Sequence, residues 1–206
     1  MADIKIHGVP PSTFTRTVRL GCHEKGIDYE IVAARPDGIG ALNPFGKIPA
    51  MTHGDLTLFE SSAILRYLDR VFPGPKLWPE EARQAALCDQ WASAICDSLV
   101  GAALPYFGAR FGFRQMPADQ VARHLERIRA LMPIFEQRLG ASRYLAGENV
   151  TAADLYLVPI FFYFPEVPEL KAIGEASPNC VRWAREMGGR SSVKATDPQF
   201  KPHLAA

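Results

Sequence analysis

The chain has 206 residues, of which 48% are hydrophobic and 22% are charged, a composition typical of a globular protein with a substantial core. Its net charge is +1 and it has no dense basic run, which argues against a nucleic-acid partner. No apolar run reaches the length that spans a bilayer, and no apolar signal-peptide core follows Met1. We therefore expect no membrane association and a cytoplasmic location.

Strands and helices alternate in the first third of the chain. Residues 4–9 predict a strand, residues 14–26 a helix ending near Gly26, and residues 29–33 a second strand. A β-α-β unit of this length favours parallel strands. After a loop at residues 35–46, the turn at His53-Gly54-Asp55 predicts two antiparallel strands, followed by a helix. The predicted order is βαβ followed by ββα.

Composition changes at a stiff linker that contains three prolines, Pro73, Pro75 and Pro79. Beyond it no further strand signal is convincing. Helical spacing predicts helices over residues 80–111, over residues 121–139 after the break at Met116-Pro117, from Thr151 onward, and over residues 179–187. We therefore predict an α/β domain at residues 1–73, a linker at 74–84 and an all-α domain at 85–206.

Four cysteines, Cys22, Cys88, Cys96 and Cys180, are scattered along the chain. None belongs to a CxxC pair, and none has a histidine at metal-ligand spacing. We expect reduced, buried thiols and no metal site.

The stretch NPFGKIPAMTHGDLTLFESSAIL, residues 43–65, concentrates the chemical signals. A cis bond between Ile48 and Pro49 would make a turn that exposes the backbone before the proline. Ser61 lies at a helix start, where free N–H groups favour a carboxylate, and Glu60 beside it could hold an ammonium group. A zwitterionic peptide would use all three features. The alternative is that Ser61 or Ser62 only caps the helix and Glu60 is only an acid of its first turn.

Ser12 follows the first strand and lies at the start of the first helix. A hydroxyl there can donate a hydrogen bond to a thiolate, which lowers the pKa of the thiol. The chain has no GxSxG context around Ser12, so a hydrolase nucleophile is not favoured. The alternative is an N-cap role, which Thr13 could fill equally well.

Four stretches, taken together, resemble the cytosolic glutathione transferases over nearly the whole chain, most closely the phi class and related bacterial members. They are PPSTFTRTVRL, LNPFGKIPAM, LTLFESSAIL followed by RYLDRVFP, and YLAGENVTAADL. In the last, Thr151 and Asp154 have the spacing of the family's helix-capping motif. The resemblance implies a thioredoxin-like N-terminal domain and a helical C-terminal domain, a protein that pairs as a homodimer, and a role in detoxification.

The resemblance also implies roles for individual residues. Ser12 would donate to the glutathione sulfur, and Ile48, before a cis Pro49, would pair its backbone with the cysteinyl part of the peptide. The γ-glutamyl end would be held by Glu60 and Ser61, with Lys47 nearby. Phe14 would border both substrates, and Arg16 would give structural or electrostatic support.

Two departures from the family pattern bear on the chemistry. The loop at residues 35–42 is shorter than in many phi members, and only Arg35 is available as the basic residue expected to contact the glycyl carboxylate. The first-helix motif lacks a cysteine and the SSCS pattern of the zeta-class isomerases. The redox chemistry of omega- and beta-like members is therefore not favoured.

A hydrophobic second substrate needs an apolar site. The candidates are the aromatic residues late in the first long helix, Tyr106, Phe107, Phe111 and Phe113. Aromatic residues in helices are more often core, so we expect only a minority to touch substrate. We predict conjugation of reduced glutathione, a co-substrate, to a small hydrophobic electrophile with no added cofactor. A glutathione-dependent peroxidase or isomerase, and a non-catalytic carrier of apolar ligands, are the alternatives.

Overall fold

The computed structural model describes residues 3–200 and Leu204, and these residues form two compact units. The first unit contains the chain up to Glu80 together with Gly188–Phe200, and the second contains Glu81–Met187. The first predicted domain begins at residue 1 and the second ends at residue 206. Both of these ends lie outside the described residues, as do residues 2, 201–203 and 205.

A four-stranded sheet with strand order β2-β1-β3-β4 forms the centre of the first unit. The strands are β1 Ile4–Gly8, β2 Tyr29–Ala33, β3 Ala50–His53 and β4 Leu56–Phe59. As predicted, β1 and β2 are parallel, whereas β3 is antiparallel to both β1 and β4. The turn at Gly54, where φ is +58°, joins β3 to β4. Ile4, Ile6 and Met51 are fully buried and form the apolar face of the sheet.

Two helices complete the βαβ–ββα pattern: α1 Thr13–Lys25 and α2 Ser61–Val71. They pack closely, because a Cβ on Gly21 would lie only 2.3 Å from Leu65 Cδ2. The predicted linker is anchored to this pair by Asp69. Its carboxylate accepts from Leu77 N–H at 2.9 Å and from the buried Lys25 ammonium at 3.1 Å.

Helix α1 ends at Gly26, whose φ of +66° lies in the left-handed region. Nothing lies within 4 Å of a Cβ built there, so Gly26→Ala should destabilise the protein by about 1 kcal/mol through backbone strain alone. The matched control is Gly101→Ala, at an exposed helical position with equally open surroundings. It should stabilise by a similar amount, since alanine favours helix. Thermal unfolding of both variants checks the prediction, and a loss of stability in both would contradict it.

The segment Gly188–Phe200 packs with the first unit, whereas the sequence placed it in the helical domain. Its short helix α9, Ser191–Ala195, lies against α1. Arg190 forms a bidentate ion pair with Glu24, with Nε to Oε1 at 2.8 Å, and Ser192 Oγ also donates to that carboxylate. Burial alone would raise the pKa of Glu24, but these hydrogen bonds hold the pKa below its usual value. The partners are more than 160 residues apart in sequence, so no local pattern predicts this contact.

The second unit is helical throughout its described elements, as predicted. Its helices are α3 Ala82–Ala94, α4 Val100–Arg110, α5 Ala118–Ala141, α6 Ala152–Phe161, α7 Pro168–Glu175 and α8 Pro178–Gly188, the last ending at the boundary with the first unit. Helix α7 was not predicted from the sequence. A single π turn, Ile95–Leu99, joins α3 to α4.

Because of this π turn, residues 82–110 form one continuous helix, Ala82–Arg110, of 29 residues. By length and composition alone it could cross a bilayer, which differs from the expectation that no run is long enough. In its most apolar window of 18 residues, 44% of the window is buried inside the protein. Core helices of soluble proteins also have the length and apolar composition that a membrane span requires.

Candidate active site

The strand register brings the functional stretches to one end of the sheet. His7 in β1 is opposite Ala50 in β3, and Ala50 is opposite Phe59 in β4. The residues that follow β1, precede β3 and follow β4 therefore leave the sheet at the same end. These are the stretches that contain Ser12, Ile48-Pro49 and Glu60-Ser61. Arg35 lies at this end too, because Gly8 at the end of β1 pairs with Ala33 at the end of β2.

Ser12 is the N-cap of α1 and is half-buried. Its Oγ accepts from Thr15 N–H at 3.4 Å, which leaves the hydroxyl proton available for donation. Thr13 is only 6% exposed. The close approach of β1 to α1 depends on Gly8, since a Cβ there would lie 2.4 Å from Thr15 Oγ1. The cap role and the donor role predicted for Ser12 are thus compatible.

The peptide bond between Ile48 and Pro49 is cis, as predicted. Asn43, which is 1% exposed, fixes the loop before it: Nδ2 donates to Lys47 O at 2.7 Å, and Oδ1 accepts from Phe45 N–H at 3.0 Å. Along residues 3–200, no loop or turn hydrogen bond uses the backbone of Ile48. The N–H and C=O groups of Ile48 can therefore pair with an extended peptide.

Glu60 has a φ of +65°, and Gln199 is the only other non-glycine residue with positive φ in the part of the chain that the structure describes. Such a backbone typically costs about 1–3 kcal/mol and often marks a functional site. Glu60 occupies the N-cap position of α2 without a side-chain cap bond, and its carboxylate is exposed. The simple capping alternative considered for Ser61 is not observed, because Ser61 is the first residue of the helix.

Two exposed cations flank the loop before Pro49. Pro36 O would lie 3.4 Å from a Cβ on Gly46, so the short turn after Arg35 contacts the residue that precedes Lys47. Neither Arg35 nor Lys47 forms an ion pair with any described residue. Both are available to an anionic group at this end of the sheet.

Phe14 is half-buried in the first turn of α1. Arg16, one turn after Ser12, is 2% exposed, and its Nη2 donates to Val193 O at 3.3 Å. Arg16 therefore joins the start of α1 to the C-terminal segment, and its charge lies one turn along the helix from Ser12.

The four aromatic candidates for the second substrate lie in and just after α4, and they differ in exposure. Tyr106, Phe107 and Phe111 are buried, and Phe107 stacks on Phe111 with centroids 5.4 Å apart. Tyr163 contacts both rings. Phe113 is 69% exposed. Three of the four therefore pack in the second unit, and Phe113 faces solvent.

Cys22, Cys88 and Cys180 are buried and form no disulfide. Burial raises the pKa of Cys22 and of Cys180 to about 12, and it also raises the pKa of Cys88. These three thiols stay protonated near neutral pH.

Comparison with known proteins places the chain in a family. Residues 11–71 match the family model for the glutathione S-transferase N-terminal domain, and residues 93–190 match that for the C-terminal domain. Glutathione S-transferase 1 of wheat, Triticum aestivum, is 33% identical over 94% of this chain and 93% of its own length. The chain belongs to the glutathione S-transferase family.

Other family members agree over similar lengths. Glutathione S-transferase F7 of Arabidopsis thaliana is 31% identical over 94% of this chain and 99% of its own length. The solved structure of maize glutathione S-transferase I with an atrazine glutathione conjugate has a TM-score of 0.83 and 28% identity, covering 94% of this chain and 95% of its own. The resemblance to plant phi-class enzymes is confirmed, and so is the fold of an α/β thioredoxin-like domain followed by an all-α domain.

Sequence reasoning missed two features of this glutathione S-transferase site. One is the left-handed backbone of Glu60, because Glu-Ser-Ser also fits an ordinary capped helix start. The other is Asn43, whose side chain holds the loop before Ile48. The Asn43-Pro44 pair is a turn signal that could have revealed it.

Proposed function

We propose that this chain conjugates the thiolate of reduced glutathione to small, hydrophobic electrophiles. The observation that carries the proposal is the convergence of Ser12, Ile48 and Glu60 at one end of the sheet. The hydroxyl of Ser12 is a donor that matches the thiol of the peptide, and the unpaired backbone of Ile48 matches the cysteinyl amide. Glu60, an acid beside a helix N-terminus, matches the γ-glutamyl group.

In the proposed complex, Ile48 forms backbone hydrogen bonds with the cysteinyl residue of glutathione, next to Pro49. Glu60 accepts from the γ-glutamyl ammonium, and Ser61 with the first N–H groups of α2 binds the adjacent carboxylate. The strained backbone of Glu60 supports this role, because such strain often marks a ligand-binding position.

We assign the glycyl carboxylate to Lys47 together with Arg35. Both are exposed cations without an ion-pair partner among the described residues, and the turn at Pro36 contacts the loop that carries Lys47. This pair would replace the basic residue that the short loop lacks.

The reaction then needs a thiolate and an aligned electrophile. The Ser12 hydroxyl donates to the sulfur and stabilises the thiolate, while the released proton passes to solvent. The sulfur attacks the electrophilic carbon, a C–S bond forms, and the leaving group departs with the bonding electrons. Phe14 borders both substrates, and Arg16 adds positive charge near the start of α1.

The proposed second substrate is apolar, in keeping with the atrazine conjugate held by the maize relative. Among the aromatic candidates, Phe113 is the most accessible. We further propose that the protein acts in detoxification as a cytoplasmic homodimer, with glutathione as its co-substrate and no added cofactor.

Glu60→Ala should weaken glutathione binding about ten- to a hundredfold, because a charge-assisted contact is typically worth roughly 1.5–3 kcal/mol. Calorimetric titration measures the affinity. Glu60→Gln separates the loss of charge from any change in backbone, since it keeps the side-chain shape. The matched control is Asp55→Ala, an exposed acid in the turn at the opposite end of the sheet, which should bind like the wild type. Equal affinities for all of these proteins would remove Glu60 from the site.

A further inference from the structure

Thr15 carries a buried hydroxyl that forms no hydrogen bond within the described part of the chain. The residue lies in the first turn of α1 and is 0% exposed. No group among the described residues pairs with its Oγ1 atom. A buried donor without a partner typically weakens a fold by more than a formed hydrogen bond strengthens it, and native proteins keep few of them. A group of this kind is often kept for a role in function.

Thr17, two residues further along α1, shows what a buried threonine in this helix can do. It is also 0% exposed, and its Oγ1 donates to Thr13 O at 3.0 Å. This bond to the carbonyl four residues earlier is a common partner for a hydroxyl within a helix. Thr15 lacks such a bond. Burial alone therefore does not explain a threonine at position 15, because valine has nearly the same shape and no donor to bury.

The side chain of Thr15 is fixed where α1 meets β1. A Cβ on Gly8 would lie 2.4 Å from Thr15 Oγ1 and 2.9 Å from Thr15 Cγ2, so the side chain fills space that only a glycine leaves. Gly8 ends β1, and Ser12 caps α1 four residues later. The contact therefore holds Thr15 close to the residue that we assign as donor to the glutathione sulfur.

Ser12 Oγ is the acceptor that suits the Thr15 hydroxyl. Thr15 is the third residue of α1, and in a capping box the side chain at this position reaches back to the N-cap residue. The Ser12 backbone is already used, since its N–H donates to Val9 O at 3.1 Å and its carbonyl accepts from Arg16 N–H at 2.8 Å. Ser12 Oγ accepts from Thr15 N–H at 3.4 Å, which is longer than the usual range of about 2.7–3.2 Å. A hydroxyl oxygen has two lone pairs, so Ser12 Oγ can accept a second bond.

We propose that Thr15 is a positioning residue for Ser12 when glutathione is bound. Rotation of the Thr15 side chain lets its hydroxyl donate to Ser12 Oγ, and Ser12 then directs its own proton to the sulfur. Because linked hydrogen bonds polarise one another, the Ser12 hydroxyl becomes a stronger donor to the thiolate. The inference rests on the proposed donation from Ser12 to the sulfur, and Thr15 itself does not touch the substrate.

Thr15→Val removes the hydroxyl and keeps the shape of the side chain. The pKa of bound glutathione should rise by about half a unit to one unit, the usual net contribution of one hydrogen bond. If the bound thiol of the wild type has a pKa near 6.5, the thiolate fraction at pH 6.5 falls about two- to fivefold. The midpoint of thermal unfolding should not fall, since the lost hydroxyl pairs with no described residue. The thiolate absorbance of the bound peptide and the pH–rate profile measure the shift.

The matched control is Thr17→Val, the same change in the same helix at a hydroxyl that is already paired. It should lower the midpoint of thermal unfolding by about 2–4 °C and leave the pKa of the bound thiol at the wild-type value. Thr15→Ser keeps the hydroxyl without the methyl group, so it should also keep the wild-type pKa. A bound-thiol pKa in Thr15→Val equal to that of the wild type, or an equally large shift in Thr17→Val, would overturn the role of Thr15.

A double variant tests whether Thr15 acts through Ser12. In the Ser12→Ala background, Thr15→Val should change the pKa of the bound thiol no further, because the acceptor is gone. A further rise in the double variant would overturn the route through Ser12. If Ser12→Ala alone leaves the pKa unchanged, Ser12 is wrongly assigned and the role of Thr15 is wrong as well. If Ser12→Ala raises the pKa and Thr15→Val does not, only the role of Thr15 is refuted.

Discussion

Ser12→Ala should raise the apparent pKa of bound glutathione by about two units, to the free-thiol value of about 8.5. If the bound thiol of the wild type has a pKa near 6.5, about half of it is ionised at pH 6.5, against about 1% in the variant. Thiolate population alone therefore slows conjugation about fiftyfold at that pH. A more basic thiolate is also more nucleophilic, which reduces the expected loss to as little as about fivefold. The pH–rate profile and the thiolate absorbance of the bound peptide measure both effects.

Two further variants isolate the role of the hydroxyl. Ser12 also caps α1, and alanine there costs about 1 kcal/mol of stability, whereas glycine costs only a few tenths. Ser12→Gly should therefore show the same pKa shift as Ser12→Ala with little loss of stability. Thr13→Ala is the matched control, because Thr13 is buried within the first turn. A pKa shift of the bound thiol that is as large in Thr13→Ala as in Ser12→Ala would show that Ser12 is wrongly assigned as the donor to the glutathione sulfur.

Local patterns were sufficient to predict the first half of the fold. Strand alternation, the Gly26 helix end and the turn at Gly54 are all encoded within a few residues, and each lies where the sequence indicated. The cis bond before Pro49 was expected from the resemblance to the glutathione transferases, since the local residues alone offered it only as one way to make the turn. Within the candidate site, the stretches that meet at one end of the sheet follow from strand order and direction.

Contacts between distant residues could not be predicted in this way. Nothing in the sequence around Glu24 identifies Arg190 as its partner, so the return of the C-terminal segment to the first unit was missed. The aromatic candidates show the same limit, since helical spacing does not separate a buried Phe107 from an exposed Phe113. Burial and accessibility depend on the packed unit and not on the local pattern.

Loss of Asp154 should weaken the fold strongly. It lies in the first turn of α6 and is fully buried. One carboxylate oxygen accepts from Thr151 N–H at 3.0 Å and from Thr151 Oγ1 at 3.2 Å. The other accepts from Leu145 N–H and from Trp183 Nε1, both at 3.0 Å. The capping motif seen in the sequence is thus the centre of a network that joins α6, the preceding loop and α8.

Asp154→Ala should lower the free energy of unfolding by about 3–5 kcal/mol, because it leaves several buried donors without an acceptor. This exceeds the 0.5–2 kcal/mol of an ordinary cap. Thermal unfolding followed by intrinsic tryptophan fluorescence should report the loss as a lower unfolding midpoint. Thr151→Ala removes one donor and keeps the carboxylate, so it should cost only about 1 kcal/mol, and it remains informative if Asp154→Ala does not fold. Asp119→Ala, an exposed acid at the start of α5, should change the stability by less than about 0.5 kcal/mol.

Glutathione affinity of the folded Thr151 variant should stay at the wild-type value. An Asp154→Ala protein of full stability that fails to bind glutathione would make Asp154 part of the site and not of the core.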